Sequence, residues 1–576
     1  MLDRLNQIYP VRYTAFFVAL GLTSLSLLVF VASGQGGWML LIFGALTAVG
    51  IYDLQQTHHA ILRNYPIIGH LRFMLEAIRP ELRQYFLESE TEAAPFSRAQ
   101  RTLVYARAKG QSDKRPFGTQ LDVSAAGYEW ITHSLAPTHL HDHNFRVAIG
   151  GASCTQPYDI SLFNVSAMSF GALSANAIMA LNKGAYMGGF AHDTGEGSIS
   201  RHHRVHGGDL IWEIGSGYFG CRDSQGRFSA ERFVENALSP QVKMIEIKLS
   251  QGAKPGHGGV LLGPKVTAEI AEARGVQIGE DCVSPSSHSS FSTPLELLQF
   301  VQQLRTLSEG KPVGFKLCIG HPWEWFGIAK AMQESQILPD FIVVDGSEGG
   351  TGAAPLEFSD HIGTPLQEGL RLVHNTLVGL NLRDKIRVGA SGKIISGFDI
   401  ARTLAMGADW CNSARGFMFA LGCIQAQTCH SGNCPTGVTT QDPKRQMALV
   451  VPDKAQRVRN FHRLTLESLQ ELLEAAGLQG PADLRLHHFM RRINAYETRS
   501  LASLFQNVPA GALPPPHPPL PACPRCSKPI GIRPARNASC PNQPTDADRL
   551  EPAQAGNQSA VLGRGYISTR SRLTGT

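Results

Sequence analysis

Residues 312–345 read PVGFKLCIGHPWEWFGIAKAMQESQILPDFIVVD. An apolar run, Pro312–Cys318, leads into a helical stretch that includes Ile328–Glu334, and a second apolar run follows at Asp340–Asp345. Two apolar runs of strand length separated by a helix are typical of a βαβ unit, in which the two strands lie parallel. This stretch therefore predicts a parallel sheet.

The same alternation continues on both sides of this stretch. Further apolar runs lie at Ile160–Met168, Val242–Lys248 and Ile386–Ala390, with helical stretches at Leu295–Leu307 and Phe398–Ala405. Strands that alternate with helices over about 250 residues are typical of an α/β (β/α)8 barrel. We therefore predict a TIM barrel domain over residues 159–475, with its chemistry at the carboxyl ends of the strands.

Two apolar segments, Thr14–Ala32 and Trp38–Leu54, predict an N-terminal membrane anchor over residues 1–54. The first is close to the roughly 20 residues that a helix needs to cross a bilayer. A signal peptide would show a small-residue cleavage site, and core helices would show an amphipathic stripe. Neither sign is present, so we favour a hairpin of two transmembrane helices.

The arginines around these segments predict their orientation. Arg4 and Arg12 precede the first segment, and Arg63 and Arg72 follow the second. Basic residues flank membrane helices on the cytoplasmic side. We therefore expect an inner (cytoplasmic) membrane protein whose catalytic domain faces the cytoplasm.

Two further regions surround the predicted barrel. Residues 55–158 are mixed and polar, with a helix-like stretch at Leu71–Glu88, and they predict a connector or cap. Residues 476–576 form a C-terminal extension that is rich in Pro, Ser, Asn and Arg after about Val508. Such a composition is typical of a disordered tail.

Composition excludes some classes of function. A formal charge of +6 over 576 residues is small, and membrane-flanking and tail arginines account for much of it. We therefore do not expect nucleic-acid binding. The eleven cysteines are scattered apart from one tight group, which favours metal ligation over a disulfide framework.

That group is Cys423-x5-Cys429-x4-Cys434, followed by proline. Three thiolates on one loop can converge on an iron–sulfur cluster, and three ligands point to a [3Fe–4S] cluster unless a fourth comes from elsewhere. Structural zinc sites usually show paired Cys-x2–4-Cys spacing, which is missing here. Zinc and unrelated buried thiols remain the alternatives.

A second group of cysteines lies in the predicted tail, and a zinc site there would need a fourth ligand that is not obvious. Its members are Cys523, Cys526 and Cys540.

Several polar residues fall at predicted strand ends. Lys248 and Lys316 each end or nearly end an apolar run, where an ammonium group can stabilise charge on a reduced flavin. Surface or ion-paired lysines are the alternative interpretation. Glycine turns and cations late in the barrel are typical of a phosphate site, and simple tight turns are the alternative. These residues are Gly349, Gly350, Gly352, Ser391, Gly392, Lys393 and Arg415.

Five longer motifs occur in an order that resembles the FMN-binding synthase domain of glutamate synthases. They run between Ile160 and Asp442 and are Ser166-Ala-Met-Ser-Phe-Gly171, Asp193-Thr-Gly-Glu-Gly197, Ile247-Lys-Leu-Ser-Gln-Gly-Ala-Lys-Pro-Gly256, Gly349-Gly-Thr-Gly-Ala-Ala-Pro355 and the Cys423–Asp442 segment. The resemblance implies a (β/α)8 barrel that holds FMN beside a [3Fe–4S] cluster. It also implies condensation of 2-oxoglutarate with ammonia to 2-iminoglutarate, which a hydride from FMN reduces to L-glutamate.

By position, the resemblance assigns roles to individual residues. Cys423, Cys429 and Cys434 would bind the cluster. The flavin would be lined by Ser166, Ala167, Met168 and Ser169, with Lys248 and Lys316 near its ring. The residues facing the oxo acid would be Gln251, Lys254, Arg274 and, in the same site, Glu196.

Some positions depart from the pattern of the resembled family. A glutamine of the family is Val260 here, and an acidic position is His257. The phosphate turn Asp-Gly-Gly is replaced by Ser391-Gly392-Lys393, and Gly-Phe-Gly-Thr by Asn412–Arg415. Lys393 and Arg415 would then hold a phosphate by charge, whereas the substrate-side changes place the identity of the oxo acid in question.

The resemblance also has implications for partners. We expect neither a glutamine-hydrolysing domain with an N-terminal cysteine nor a pyridine-nucleotide module in this chain. Ammonia would be free or delivered by a partner, and a separate donor, an NADPH-dependent flavoprotein or a ferredoxin, would supply electrons. Two alternatives remain: the same cofactors acting on another amino or oxo acid, as in an N-methylglutamate synthase-like reaction, and a membrane-tethered electron relay.

Overall fold

The computed structural model describes residues 10–91 and 94–513. Within this part of the chain, eight parallel strands close into a barrel in which each strand pairs with its neighbours in sequence and the last pairs with the first. This confirms the predicted α/β barrel. The strands are β1 (Phe163–Val165), β2 (His192–Asp193), β3 (Leu210–Ile214), β4 (Val242–Lys248), β5 (Val313–Leu317), β6 (Phe341–Asp345), β7 (Arg387–Ser391) and β8 (Trp410–Ser413).

Strands β4 to β7 follow the predicted apolar runs, because a parallel strand buried on both faces is apolar along its length. The run Ile160–Met168 was predicted as one strand but is divided. Its first part, in Tyr158–Ser161, pairs antiparallel with Arg146–Ile149, and its second part begins the barrel as β1. Strands β2, β3 and β8 were not predicted.

Helices surround the barrel, and several begin at a serine or threonine that caps them. Ser174 and Thr293, for example, accept hydrogen bonds from backbone N–H groups of the first turn, which stabilises the start of a helix. The helices are Ala175–Gly188, Arg201–Arg204, Ala230–Ala237, Ala268–Arg274, Pro294–Leu307, Pro322–Ser335, Leu356–His361, Leu366–Gly379, Gly397–Ala405, Arg415–Leu421, Pro443–Gln446 and Val451–Ala475.

The longest of these, Val451–Ala475, packs along Ala175–Gly188. The approach is close at Gly184, where an added Cβ would lie 2.9 Å from the Ala455 carbonyl oxygen. His462 on the long helix stacks on Phe190 with ring centroids 3.9 Å apart. Burial lowers the pKa of His462 to about 3, so this histidine is a neutral core residue.

The segments on either side of the barrel domain join in one small sheet. The strand Glu129–Ile131 from the connector pairs antiparallel with Phe489–Arg492, which pairs in turn with Thr498–Ser500. The helix Leu501–Leu504 follows, and a short antiparallel pair, Val260–Leu261 with Cys282–Val283, lies in the barrel domain.

The N-terminal region is helical. Helices Thr14–Ser33 and Gly37–Gln55 pack against each other and are joined by a 2.8 Å hydrogen bond between the hydroxyls of Thr23 and Thr47. Each is long and apolar enough to cross a membrane by length and composition, and few of their residues are buried. Membrane insertion stays a prediction. A short helical segment, Val11–Tyr13, precedes the first of them, and the connector contains Ala60–Asn64, Gly69–Leu82, Arg83–Leu87 and Arg98–Lys109.

Some sequence predictions fall outside the described residues. These are the disordered tail beyond Leu513, the flanking Arg4, and the second cysteine group, Cys523, Cys526 and Cys540.

Candidate active site

The carboxyl ends of β2 and β4 bring together an acid and a base that the sequence placed in one site. Glu196 follows β2, Lys248 ends β4, and the Lys248 Nζ lies 3.1 Å from the Glu196 Oε2. Both side chains are largely buried, at 11% and 16% exposure. The ion pair therefore lies at the end of the barrel where enzymes of this fold place their chemistry.

Two more cations approach the same carboxylate. Arg274, at the end of the helix Ala268–Arg274, donates from Nη2 to the Phe170 carbonyl oxygen at 3.1 Å, and its guanidinium lies 5.2 Å from the Phe219 ring. The Arg274 Nε is buried and has no hydrogen-bond acceptor. Lys254 is also buried and donates from Nζ to the Ala353 carbonyl oxygen at 3.2 Å.

The pKa shifts show that these groups interact. Burial alone would raise the pKa of Glu196, but Lys248, and to a smaller extent Arg274 and Lys254, bring it below its usual range. Burial lowers the pKa of Lys254 although Glu196 opposes the shift. One carboxylate thus faces three cations, and a surplus of buried positive charge is stabilised when an anion binds.

A loop after β4 forms the floor of the cleft beside this group. The cleft is lined by Glu196, Lys248, Gln251, Lys254 and His257. The backbone N–H of Gly252 donates to the Asp345 Oδ2 at 2.7 Å, which fixes the loop to β6. A side chain at Gly259 would have to displace the Glu196 carboxylate.

Lys316 lies inside the barrel instead of at the open mouth. Its Nζ contacts Glu213 of β3 and lies 3.0 Å from the Glu246 Oε1 of β4. Asp193 of β2 is the third carboxyl group of this buried cluster. The three acids were not predicted as site residues from the sequence, although a glutamate within the apolar run Val242–Lys248 is a recognisable signal.

The cluster holds more acid than base. Burial raises the pKa of Glu246 to about 7, with Glu213 adding to the shift and Lys316 opposing it. Burial and Glu246 likewise raise the pKa of Asp193. Burial would lower the pKa of Lys316, yet Glu213 and Glu246 keep it above its ordinary value. Lys316 is therefore a charged lysine fixed by ion pairs.

The predicted phosphate residues converge at the carboxyl ends of β6, β7 and β8, in a region that we call the phosphate corner. Arg415 donates from Nη2 to the Glu348 carbonyl oxygen at 2.6 Å, and a Cβ at Gly350 would lie only 2.9 Å from the Arg415 Nε. Lys393 is close enough for Arg415 to contribute to lowering its pKa, of which burial is the larger cause. Ser391 donates to the Asp345 Oδ1 at 2.5 Å. Two cations beside a glycine turn fit a phosphate group.

The predicted flavin-lining segment forms the adjacent wall. The backbone N–H of Ser166 donates to the Ser413 carbonyl oxygen at 3.1 Å, and the Ser169 hydroxyl accepts from the Gly197 N–H at 3.1 Å. Ala167 and Met168 lie between them, with Met168 buried. This wall joins the phosphate corner to the Glu196 loop, so the residues present fit a phosphorylated cofactor whose ring reaches the cationic cleft.

The loop that carries Cys423, Cys429 and Cys434 follows β8 and the helix Arg415–Leu421, and we call it the cysteine loop. Burial raises the pKa of Cys423 to about 12, and Cys429 and Cys434 contribute to the shift, so the three thiols are neighbours. Among the residues described, they do not lie within 4.8 Å of one another as Asp193, Glu213 and Glu246 do. Three sulfurs on one zinc ion would lie roughly 4 Å apart. The three sulfurs are therefore spread more widely in this structure than a single zinc ion would hold them.

The connector holds this loop, which the sequence did not reveal. The Tyr105 hydroxyl donates to the Cys423 carbonyl oxygen at 2.6 Å. Gln84 donates from Nε2 to the Ile424 carbonyl oxygen at 2.5 Å, and Gln425 donates to that of Phe96 at 3.1 Å. Because polar residues far apart in sequence make these contacts, no local pattern indicates them.

Comparison with known proteins agrees with this architecture. The fold and site define a barrel oxidoreductase, and residues 131–479 match the conserved region in glutamate synthase. The chain therefore belongs to the glutamate synthase family. It is 40% identical over 483 residues to the glutamate synthase large subunit-like protein YerD of Bacillus subtilis, covering 77% of this chain and 91% of YerD.

Two other relatives are matched over less of their length. The chain is 34% identical to the archaeal glutamate synthase [NADPH] of Methanocaldococcus jannaschii, over 56% of this chain and 60% of that protein. It is 31% identical to the ferredoxin-dependent glutamate synthase of Cyanidium caldarium, over 64% of this chain and 25% of that protein.

The first prediction concerns Arg274. Replacing Arg274 with Ala removes a charge-assisted contact worth about 1.5–3 kcal/mol, which should raise the apparent KM for a dicarboxylate substrate roughly 10- to 150-fold. Arg222, whose guanidinium lies 5.6 Å from the same Phe219 ring, provides the control as Arg222→Ala. Equal KM values for the two variants would show that the oxo-acid site is misplaced.

The second prediction concerns the cysteine loop. Cys429→Ser should remove the brown iron–sulfur absorbance and its EPR signal while FMN is retained, because the loop and the phosphate corner are separate sites. Cys154→Ser changes a thiol that donates to the Gly310 carbonyl oxygen, outside the loop, and should keep both spectra. A normal cluster in Cys429→Ser would contradict the ligand assignment.

The third prediction follows from Glu246. Its folded pKa of about 7 exceeds the unfolded value of about 4.3, so the folded state binds more protons between these values. The free energy of unfolding should therefore fall as the pH rises from about 5 to 7, by up to roughly 1.4 kcal/mol per pH unit, and then level off. Glu246→Gln should reduce this slope in denaturant titrations of the detergent-solubilised chain, and Asp193, whose pKa burial also raises, should account for what remains.

The exposed Glu334 supplies the matched control for that measurement, since Glu334→Gln changes a surface residue paired only with Lys330. Its stability should follow the same pH dependence as the unchanged chain. If the free energy of unfolding of Glu246→Gln keeps the same dependence on pH, Glu246 is not the group that binds a proton on folding.

Proposed function

We propose that this chain is an FMN-dependent, glutamate synthase-like enzyme that reductively aminates 2-oxoglutarate to L-glutamate with ammonia. The observation that carries this proposal is the Glu196 carboxylate surrounded by Lys248, Lys254 and Arg274 beside an open cleft. Such a pocket has two cationic charges in excess, which matches the two carboxylates of 2-oxoglutarate. A relay of electrons alone has no need for that charge.

The residues of the cleft have distinct tasks in this proposal. Arg274, whose charge lowers the pKa of Glu196 although it does not line the cleft, would offer its unpartnered Nε to one carboxylate, and Lys254 would neutralise the other. Lys248 and Glu196 lie 3.1 Å apart and can share a proton. This pair would supply the proton that the carbonyl or imine centre takes up. Gln251 can orient the substrate by hydrogen bonds.

FMN, when bound, supplies the hydride that reduces the imine. The cations Lys393 and Arg415 would hold its phosphate, with backbone N–H groups from Gly349, Gly350, Gly352 and the Ser391–Gly392 turn. Ser166–Ser169 would line the ring, whose edge would lie near Lys248 and Lys316. Because buried carboxylates neutralise Lys316, Lys248 is the lysine that would favour a negatively charged ring.

A [3Fe–4S] cluster on Cys423, Cys429 and Cys434 would serve as the entry for electrons. The separate donor is an NADPH-dependent flavoprotein or a ferredoxin, which is supported by relatives named for NADPH and for ferredoxin. The helices Thr14–Ser33 and Gly37–Gln55 would fix the enzyme to the cytoplasmic membrane with the barrel on the cytoplasmic side.

A second candidate substrate is another amino or oxo acid. His257 and Val260 both lie exposed at the loop that lines the cleft, where the resembled family has acidic and glutamine residues. Val260 follows Gly259 of the cleft lining and has no polar group to offer a substrate there. The cationic residues would still select an acidic substrate in this case.

The fourth prediction is the test of the proposed reaction. The full chain in detergent is reduced anaerobically with dithionite, and the flavin band near ~450 nm is followed as substrates are added. Together, 2-oxoglutarate and ammonium should reoxidise the flavin and yield glutamate, because the charge of the cleft suits this dicarboxylate. Either compound alone, and pyruvate with ammonium, serve as controls.

Two results would contradict the proposal in different ways. Intact flavin and cluster spectra with no response to 2-oxoglutarate, but with a response to another oxo acid, would move the assignment to the second candidate. No response to any oxo acid would leave an electron relay.

A further inference from the structure

A rod of two consecutive helices, Gly69–Leu82 and Arg83–Leu87, carries an apolar stripe that no described part of the chain covers. The stripe repeats at positions i, i+3, i+4, i+7 and i+11, which lie on one face of a helix. Its side chains are 39–55% exposed and are Leu71, Met74, Leu75, Ile78 and Leu82. Further along the rod, Tyr85, Phe86 and Leu87 are 55–78% exposed.

The opposite side of the rod faces the protein. Phe73 makes an edge contact with His59 at 5.6 Å, and Gln84 donates to the Ile424 carbonyl oxygen. Phe73 and Gln84 are eleven residues apart, about three turns, and therefore lie on one side of the rod. The apolar stripe consequently points away from the barrel.

Arginines flank the stripe along one edge. Arg72, Arg79 and Arg83 follow one another at helical spacing, and Arg72 pairs with Glu76 at 3.0 Å. Apolar side chains beside a row of arginines are typical of helices that lie in the lipid headgroup region, where the guanidinium groups reach anionic lipids.

The start of the rod is fixed to the end of the second apolar helix. Asp53, which is fully buried, accepts hydrogen bonds from the Ile67 backbone N–H at 2.9 Å and from the His70 ring at 2.9 Å. If Gly37–Gln55 spans a bilayer, this attachment puts the rod at the membrane surface. The 19 residues from Gly69 to Leu87 then extend about 28 Å along it.

We propose that the rod Gly69–Leu87 is a membrane-surface helix that buries its apolar stripe in anionic lipid. This inference rests on the membrane insertion put forward under the proposed function, and it assigns a second, distinct contact with the bilayer. Through Gln84 and Ile424 the rod also holds the cysteine loop close to the lipid surface.

The fifth prediction tests this contact by photo-crosslinking on the full chain in nanodiscs that contain anionic lipid. Single replacements with p-benzoyl-L-phenylalanine are made at Phe86 on the rod, at Val31 in the first apolar helix, and at Val205. Val205 is exposed and precedes β3, at the end of the barrel opposite the cysteine loop. Lipid adducts should form from positions 31 and 86 and not from 205.

The adducts distinguish the possible occupants by mass. Lipid adducts at 86 support the proposal. An adduct at 86 with a second copy of the chain or with residues 514–576 would overturn it. The absence of any adduct at 86 would overturn it as well. Lipid adducts at 31 but not at 86 would show that the hairpin is inserted and that the rod does not contact lipid. The absence of lipid adducts at 31 would contradict the insertion of the hairpin itself.

A double variant, Leu75→Glu with Ile78→Glu, provides a second measurement. It should lower the yield of lipid adducts at 86 at least fivefold and should accelerate amide hydrogen exchange across residues 69–87 in nanodiscs. The flavin and cluster spectra should not change, since neither residue touches the barrel. An unchanged yield at 86 would overturn the proposal independently of any enzymatic turnover.

Discussion

A charged lysine buried among carboxyl groups is the constraint on which the barrel mouth depends. Lys316 of β5 reaches Glu213 of β3 and Glu246 of β4, and so ties three neighbouring strands together across the interior. Removing one partner of a buried ion pair leaves an uncompensated charge, which is strongly destabilising. The strands cannot shift without breaking this cluster. Their ends therefore hold Lys248 and the Glu196 loop in fixed positions.

The sequence predicted what depends on local pattern and missed what depends on long-range contact. Strands β4 to β7 are continuous apolar runs, which a buried parallel strand requires. Strand β2 has two residues, His192–Asp193, and such a short element has no pattern to recognise. The site residues Glu196, Lys248, Lys254 and Arg274 do meet, as the motifs indicated. Their supporting contacts, such as Tyr105 with the Cys423 carbonyl group, join residues more than 300 positions apart.

The connector between the apolar helices and the barrel has a structural task that its composition does not suggest. It carries hydrogen-bond donors to the cysteine loop and is attached through Asp53 to the end of the second apolar helix. The loop is thus supported from outside the barrel domain, and the connector also reaches the phosphate corner, where the Arg415 guanidinium lies 4.7 Å from the Phe96 ring. Through Phe96, the connector therefore contacts both candidate cofactor sites.

The sheet that joins Glu129–Ile131 to Phe489–Arg492 has a consequence for the order of synthesis and folding. Its register partners, such as Glu129 and Arg491, are 362 positions apart. Pairings of such large sequence separation form late, because the intervening chain must be made and ordered first. The apolar helices leave the ribosome hundreds of residues before this sheet can close. The barrel domain therefore completes its folding only after the two apolar helices have been made and can already have folded.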